Sequence, residues 1–193
     1  MLELWDAQDA FARVEDYLRE SEFFGGDQVA DMFLGYGLSQ VLRRDATPPA
    51  PAEPCRLPLA ACKIRPWTER RDGARGFSVG AWRRSWTDAG YAAAIEAVQE
   101  AIARGDVYQV NLVQHLSAPF EGDPAGLAAR LAPLAPLHGE PLLGGGWAIV
   151  SASPELFLAR RGRHLWTKPI KGTRPLSATG ELARSEKDTA EHV

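Results

Sequence analysis

Ser151-Ala-Ser153-Pro154-Glu155-Leu-Phe-Leu-Ala159-Arg160-Arg161-Gly162-Arg163-His164-Leu-Trp-Thr167-Lys-Pro169-Ile170-Lys171-Gly172-Thr173 is the stretch on which the reading of the whole chain turns. Leu156 to Ala159 and His164 to Thr167 are short apolar-rich runs separated by an arginine-rich segment, so they read as a β-hairpin with Gly162 in its turn. The strand entering the hairpin begins beside Glu155, and the strand leaving it finishes just before Lys171. Antiparallel pairing brings those two ends together, so an acid and an amine are expected to share a site. A glutamate just after a proline, at a strand start, suits a general acid. A lysine between a proline and Gly172-Thr173, on backbone that glycine lets approach a ligand closely, suits a nucleophile once desolvated. Plainer readings stand beside these: an N-cap or edge-strand carboxylate for Glu155, and a tight turn between strands for Lys171.

Working outward, the clearest helix starts at Thr87 or Asp88 as N-cap, carries Tyr91, Ile95, Val98 and Ile102 on one face, and ends with Gly105 as its C-cap. Val107 to Leu116 is β-branched, aromatic and aliphatic enough for a strand. Period two then puts Gln109 and Asn111 on one face, as ligand contacts or as cross-strand hydrogen-bonding amides. Residues 124–141 are helix-prone, and Gly144-Gly145-Gly146 leads into a buried strand at Trp147 to Ala152. Nearer the start, Ala7 to Glu20 reads as a helix, and the apolar stretch to Leu42, with glycines at 35 and 37, suits a turn or a tightly packed sheet. Phe77, Val79 and Ala81 suggest a further strand at period two.

Pro48, Pro49, Pro51, Pro54 and Pro58, spaced by alanines, mark 43–61 as a surface linker between an N-terminal portion, 1–42, and a main domain portion, 62–193. Ser185 caps a further helix running to Val193. On it Asp188 and Glu191 lie three apart on one face, which suits a hard cation such as Mg²⁺ and equally an acidic helix facing water.

Composition narrows the function classes. A chain of 193 residues, 45% hydrophobic and 24% charged, can bury a core, while a net charge of −3 offers no basic footprint for nucleic acid. No apolar run is long enough to span a bilayer, and the acidic start lacks the features of a signal peptide, so a cytoplasmic protein is expected. Cys55 and Cys62 have no second pair or nearby histidine to complete a zinc site and are expected to be reduced thiols. Phosphate-loop, dinucleotide, zinc-protease and serine-hydrolase spacings do not occur.

Taken together, Gly105-Asp-Val-Tyr-Gln109-Val-Asn-Leu112, Ser151-Ala-Ser-Pro-Glu155 and Pro169-Ile-Lys171-Gly-Thr-Arg-Pro175 resemble, in order and spacing, the chorismate-utilising enzymes, among them the component I chains of anthranilate synthase and aminodeoxychorismate synthase. The resemblance implies an α/β (α+β) fold, the N-terminal part of a two-sheet sandwich, with 62–193 supplying part of the catalytic domain. Water-adding members usually have lysine where Gln109 stands, and amidating members glutamine. Within the amidating branch, lysine at the position of Lys171 is typical of aminodeoxychorismate synthases and alanine of anthranilate synthases.

The roles implied are Lys171 as nucleophile, Glu155 as general acid, Gln109, Gly172 and Thr173 at the substrate, and Glu191 as a ligand of Mg²⁺. Chorismate and ammonia are the implied reactants, the ammonia coming from a separate glutamine amidotransferase subunit. Leu156 and Leu176 depart from the family, which commonly has arginine at both positions. The family also extends well past Val193, so a chain ending there is expected to be truncated and catalytically incomplete alone, with exposed apolar faces.

Overall fold

The structure, a computed structural model, describes residues 1–25, 27–42, 55–66, 76–137, 140–186 and 189. The chain divides into two compact units, one made of Met1–Gly126 and Leu142–Ile149, the other of Leu127–Pro141 and Val150–Val193. Helix and antiparallel strand are mixed, as expected. Among the described residues the strands form one three-stranded sheet and four two-stranded pairs.

The core of the first unit is built on small side chains. Strand β1 (Leu2–Leu4) is followed by helix α1 (Ala10–Glu20), strand β2 (Gln28–Leu34) and a short helix α2 (Ser39–Leu42), and strand β3 (Ala60–Pro66) lies between β1 and β2, antiparallel to both. Ala60, Ala61 and Cys62 leave room for neighbours on either side, and each is at most 1% exposed. Leu4 pairs with Ala60 and packs with Ala10 and Val14 of α1 and with Leu38, closing the core. Asp31 and Arg65 sit diagonally across β2 and β3. The Arg65 guanidinium donates Nε–H to Asp31 Oδ2 at 2.5 Å and Nη2–H to Oδ1 at 3.3 Å, a forked, nearly buried ion pair.

The N-terminal helix begins at Ala10 rather than Ala7. Asp6 Oδ1 accepts the Gln8 N–H at 3.1 Å, and Asp9 takes a left-handed conformation, φ 49°, so the chain turns before it coils. The expected linker is also corrected at its end. Pro58, Ala60 and Ala61 are buried, and β3 starts at Ala60, one residue after Leu59 has bonded its N–H to Leu4 O and its carbonyl to Gly35 N–H, both at 2.7 Å. A proline just ahead of a strand removes no ladder donor, so proline content alone did not mark this edge. Residues 43–54 of that linker lie outside the described residues. Gly35 and Gly37 are where the backbone closes on Leu59: a Cβ on Gly37 would sit 2.7 Å from Leu59 Cδ2.

Strand β4 (Phe77–Val79) pairs with β7 (Phe120–Gly122), and β5 (Arg83–Arg84) with β6 (Leu116–Ser117). Helix α3 (Asp88–Arg104) runs between these strands as expected, with Thr87 Oγ1 accepting the Gly90 N–H at 3.1 Å and Gly105 at φ 79° as its C-cap. None of its residues is buried, and Ile95 and Ile102 are 38% and 44% exposed.

The strand expected over Val107 to Leu116 is not formed. Only Leu116–Ser117 pairs, and 107–115 is irregular. That segment is held instead by single bonds, Trp86 Nε1–H to Val113 O at 3.0 Å and Ser85 N–H to His115 O at 2.9 Å. Strand propensity is realised only where a neighbouring strand completes the ladder, and among the described residues 107–115 has none.

Helix α4 (Pro124–Leu131) opens the helix-prone region and spans the division between the units. The buried strand expected from Trp147 shrinks to the half-buried β9 (Ala148–Ile149), paired with β8 (Leu142–Leu143). The Trp147 indole lies over Gly144, where a Cβ would come within 2.0 Å of it, and the Gly145 N–H donates to Glu3 Oε1 at 3.1 Å. The second unit carries the hairpin of β10 (Leu156–Arg161) and β11 (His164–Lys168), then a 3-10 run at Leu176–Arg184. Of the further helix expected from Ser185 to Val193, residues 187, 188 and 190–193 lie outside the described residues. The Ser185 carbonyl accepts the Thr189 N–H at 3.0 Å. Among the described residues no helix is long and apolar enough to cross a membrane.

Two outcomes test this core. Leu4→Ala is expected to lower unfolding free energy by about 3 kcal/mol in urea titration, since Leu4 is fully buried; a loss below about 1 kcal/mol would mean the site collapses around the cavity. Burial, reinforced by the Asp31 charge, raises the Cys62 thiol above its ordinary value of 9.0, so its contribution to stability is complete below that pH and declines as pH rises beyond it. Alkylation at pH 8 is expected to label exposed Cys55 and spare Cys62 until the chain unfolds; equal rates at the two cysteines would contradict the burial.

Candidate active site

The hairpin closes as its residue pattern requires. Arg161 pairs with His164 across a two-residue loop in which Gly162 takes φ 59°, and the strands run back until Leu156 pairs with Lys168. Glu155 is thereby delivered to the start of β10, opposite the segment that follows β11. Its carboxylate Oε1 accepts the Ile170 N–H at 2.6 Å. Ile170 is the residue before Lys171, so the acid is fixed to the backbone that carries the amine.

Glu155 is held from the other side by Ser153. The Ser153 hydroxyl accepts the Glu155 N–H at 3.2 Å and donates to the Glu155 carbonyl at 3.3 Å, while the Ser153 N–H is bonded to Ser151 Oγ at 3.1 Å and the Ser153 carbonyl accepts the Leu137 N–H at 3.3 Å. Serines two residues before a backbone group form such turns routinely, which is the signal in the sequence that would have singled out Ser153. With Oε1 engaged as an acceptor, Oε2 is the oxygen left to carry a proton. An open cleft of about 260 Å³ lies at this point, lined by Ser153, Glu155, Leu156, Phe157, Thr167 and Pro169.

Lys171 and Gly172 are half-buried, whereas Thr173 and Glu155 are exposed. Gly172 adopts φ 50°, a left-handed conformation that costs residues with a Cβ about 1–2 kcal/mol, so the glycine after the lysine has a backbone reason to be there. The Thr173 carbonyl accepts from Arg174 Nη1 at 2.9 Å, and the Arg174 guanidinium pairs with Glu181 at 3.6 Å, tying the turn to the following 3-10 run. Gln109 is exposed, in the irregular stretch of the first unit, whereas Glu155, Lys171, Gly172 and Thr173 all belong to the second. Glu191 lies outside the described residues. Among the described residues no three of His, Cys, Asp and Glu cluster as a metal site.

The arrangement offers a carboxyl group with one oxygen anchored, lining a cleft partly walled by apolar side chains, and a half-buried lysine one residue beyond the anchoring amide. A carboxyl group so held is of the type that serves as a general acid, and a lysine of the type that serves as a nucleophile.

A family model described as chorismate binding enzyme matches residues 39–193. Anthranilate synthase component 1 of Streptomyces coelicolor is 35% identical over 166 residues, covering 81% of this chain and 30% of the relative. The protein of the same name from Thermus thermophilus is 37% identical over 147 residues, 66% of this chain and 31% of the relative. Aminodeoxychorismate synthase component 1 of Salmonella typhimurium is 38% identical over 123 residues, 58% of this chain and 27% of the relative. The chain thus spans about three tenths of the length of these relatives. No solved structure matches it.

At Gly172, substitution separates backbone strain from side-chain volume. Gly172→Ala is expected to cost about 1 kcal/mol in denaturant unfolding, Gly172→Asn less and Gly172→Val more, following their tolerance of positive φ; Asn and Val behaving alike would contradict the left-handed turn.

Proposed function

The chain belongs to the chorismate binding enzyme family, and on that premise we propose that it supplies the acid and the nucleophile of an aminodeoxychorismate synthase component 1, which replaces the ring hydroxyl of chorismate with an amine. The observation that carries this reading is the Glu155 carboxylate bonded to the Ile170 amide at 2.6 Å, one residue before Lys171. Lysine at position 171, with glutamine at 109, is the combination that favours this member over its neighbours in the family.

The chemistry balances with these two side chains. The uncharged amine of Lys171 attacks ring carbon 2, both ring double bonds shift in concert around the ring, and the carbon 4 hydroxyl departs as water with the proton supplied by Glu155. Ammonia then adds at carbon 4, both double bonds shift back, and the lysine leaves carbon 2 as the free amine. The proton shed by the incoming ammonium returns to the Glu155 carboxylate, so the acid is restored for the next turnover. Hydroxide is a poor leaving group, which makes protonation at Glu155 Oε2 the step that lowers the main barrier. Gln109, Gly172 and Thr173 are proposed to contact the substrate.

Mg²⁺, when bound, would neutralise substrate charge, with Glu191 as the ligand this chain provides. Ammonia would be delivered by a glutamine amidotransferase subunit, in keeping with the component 1 names of the relatives. The two-sheet sandwich belongs to the same proposal.

A second reading, anthranilate synthase component 1, is favoured by the 35% identity to the Streptomyces protein over 81% of the chain. Product identity separates the two. A polypeptide that carries these residues within the full length of the relatives, given chorismate, Mg²⁺ and an ammonium salt, is expected to yield 4-amino-4-deoxychorismate by mass spectrometry, and residues 1–193 alone are expected to yield none. Lys171→Ala should reduce the yield to background, and Glu155→Gln should slow formation by roughly 100-fold. Fluorescent anthranilate as the product would move the assignment to the second reading, and unconsumed chorismate would remove the catalytic one.

A further inference from the structure

The hairpin that carries Glu155 is not a regular ladder. Arg161 pairs with His164, Arg160 with Leu165 and Ala159 with Trp166, but Leu156 pairs with Lys168. Phe157 and Leu158 together therefore oppose the single residue Thr167, which makes a β-bulge. Continued without it, the register of the hairpin tip would set Leu156 against Pro169 and Glu155 against Ile170. The bulge displaces Glu155 by one position and, because side chains alternate with period two, exchanges its face.

Thr167 stands at that displacement. Its Oγ1–H donates to the Leu156 carbonyl at 2.9 Å, across the strands and immediately after Glu155, and its side chain lines the same cleft as Glu155. Beyond Lys168 the ladder cannot continue in the usual way, since Pro169 has no N–H. The next backbone donor is Ile170 N–H, and it goes to the Glu155 carboxylate.

We propose that Thr167 is a positioning residue for Glu155: its hydroxyl, bonded to the Leu156 carbonyl across the bulge, sets the one-residue offset that places the Glu155 carboxylate on the Ile170 amide beside Lys171. Its part in catalysis rests on the reading of Glu155 as the general acid. Its part in the geometry does not. A misplacement of about 1 Å at an acid or a nucleophile is enough to cost on the order of 100-fold in rate, so a hydroxyl engaged with backbone acts strongly through the residue it positions.

Two measurements on Thr167→Val and Thr167→Ser test this. Valine keeps the branched shape without the hydroxyl, and serine keeps the hydroxyl without the methyl. In NMR amide exchange, Thr167→Val is expected to speed exchange at Ile170 by about tenfold while Thr167→Ser keeps the wild-type rate. In the amination assay, Thr167→Val is expected to lower kcat by roughly 10- to 100-fold with KM within about twofold, and Thr167→Ser to restore kcat. Unchanged Ile170 exchange in Thr167→Val overturns the proposal. So does fast exchange in a folded Thr167→Ser, which decides the matter even if the valine variant fails to fold. Should the wild-type polypeptide of that assay form no aminated product, the functional reading falls on its own, and the exchange rates at Ile170 still decide the role of Thr167.

Discussion

Backbone hydrogen bonding in short antiparallel ladders is the constraint on which this structure depends. Every strand pair among the described residues is antiparallel, and most ladders close on two or three residue pairs. With so few rungs, each ladder is decided at its ends by side chains and loop carbonyls that take the leftover donors and acceptors. Leu59 does this for β1 and Gly35, Glu3 for the loop between β8 and β9, and Glu155 for the segment leaving β11. Where the described residues offer no neighbour, as at 107–115, a sequence rich in strand-forming residues stays irregular.

The same constraint makes the candidate site. A carboxylate that satisfies an orphan amide is held in place without a partner charge, and in this hairpin the orphan exists because Pro169 interrupts the donors of the outgoing strand. Ser153 takes the backbone of Glu155 and leaves the carboxylate to the Ile170 amide. A carboxylate held through one oxygen leaves the other free of that bond.

Much of the site was legible because its signals are local. Gly162 between two apolar runs announces a hairpin, and a hairpin brings the start of its entering strand near the segment that follows its leaving strand. Thr87, Asp88 and Gly105 likewise announce the ends of α3, because capping depends on groups within one turn. That the strand expected to present Gln109 does not form was not legible, since a ladder depends on a neighbour far away in sequence. Pro58 misled for a related reason: a proline reads as linker from its own chemistry, and only packing against the rest of the core shows it buried.

By itself, then, the sequence determined the helix caps, the hairpin turn, the nearness of Glu155 to the segment after the hairpin, and the family to which these belong, all of which follow from residues adjacent in the chain or from motif order. Tertiary structure alone decided the bulge at Phe157 and Leu158, the crossing of Thr167 to the Leu156 carbonyl, and the central place of Ala60 to Cys62 between two strands. The physical reason is that register and burial are properties of pairs: a side chain's face is set by what lies opposite it, and no residue carries that information in its own propensity.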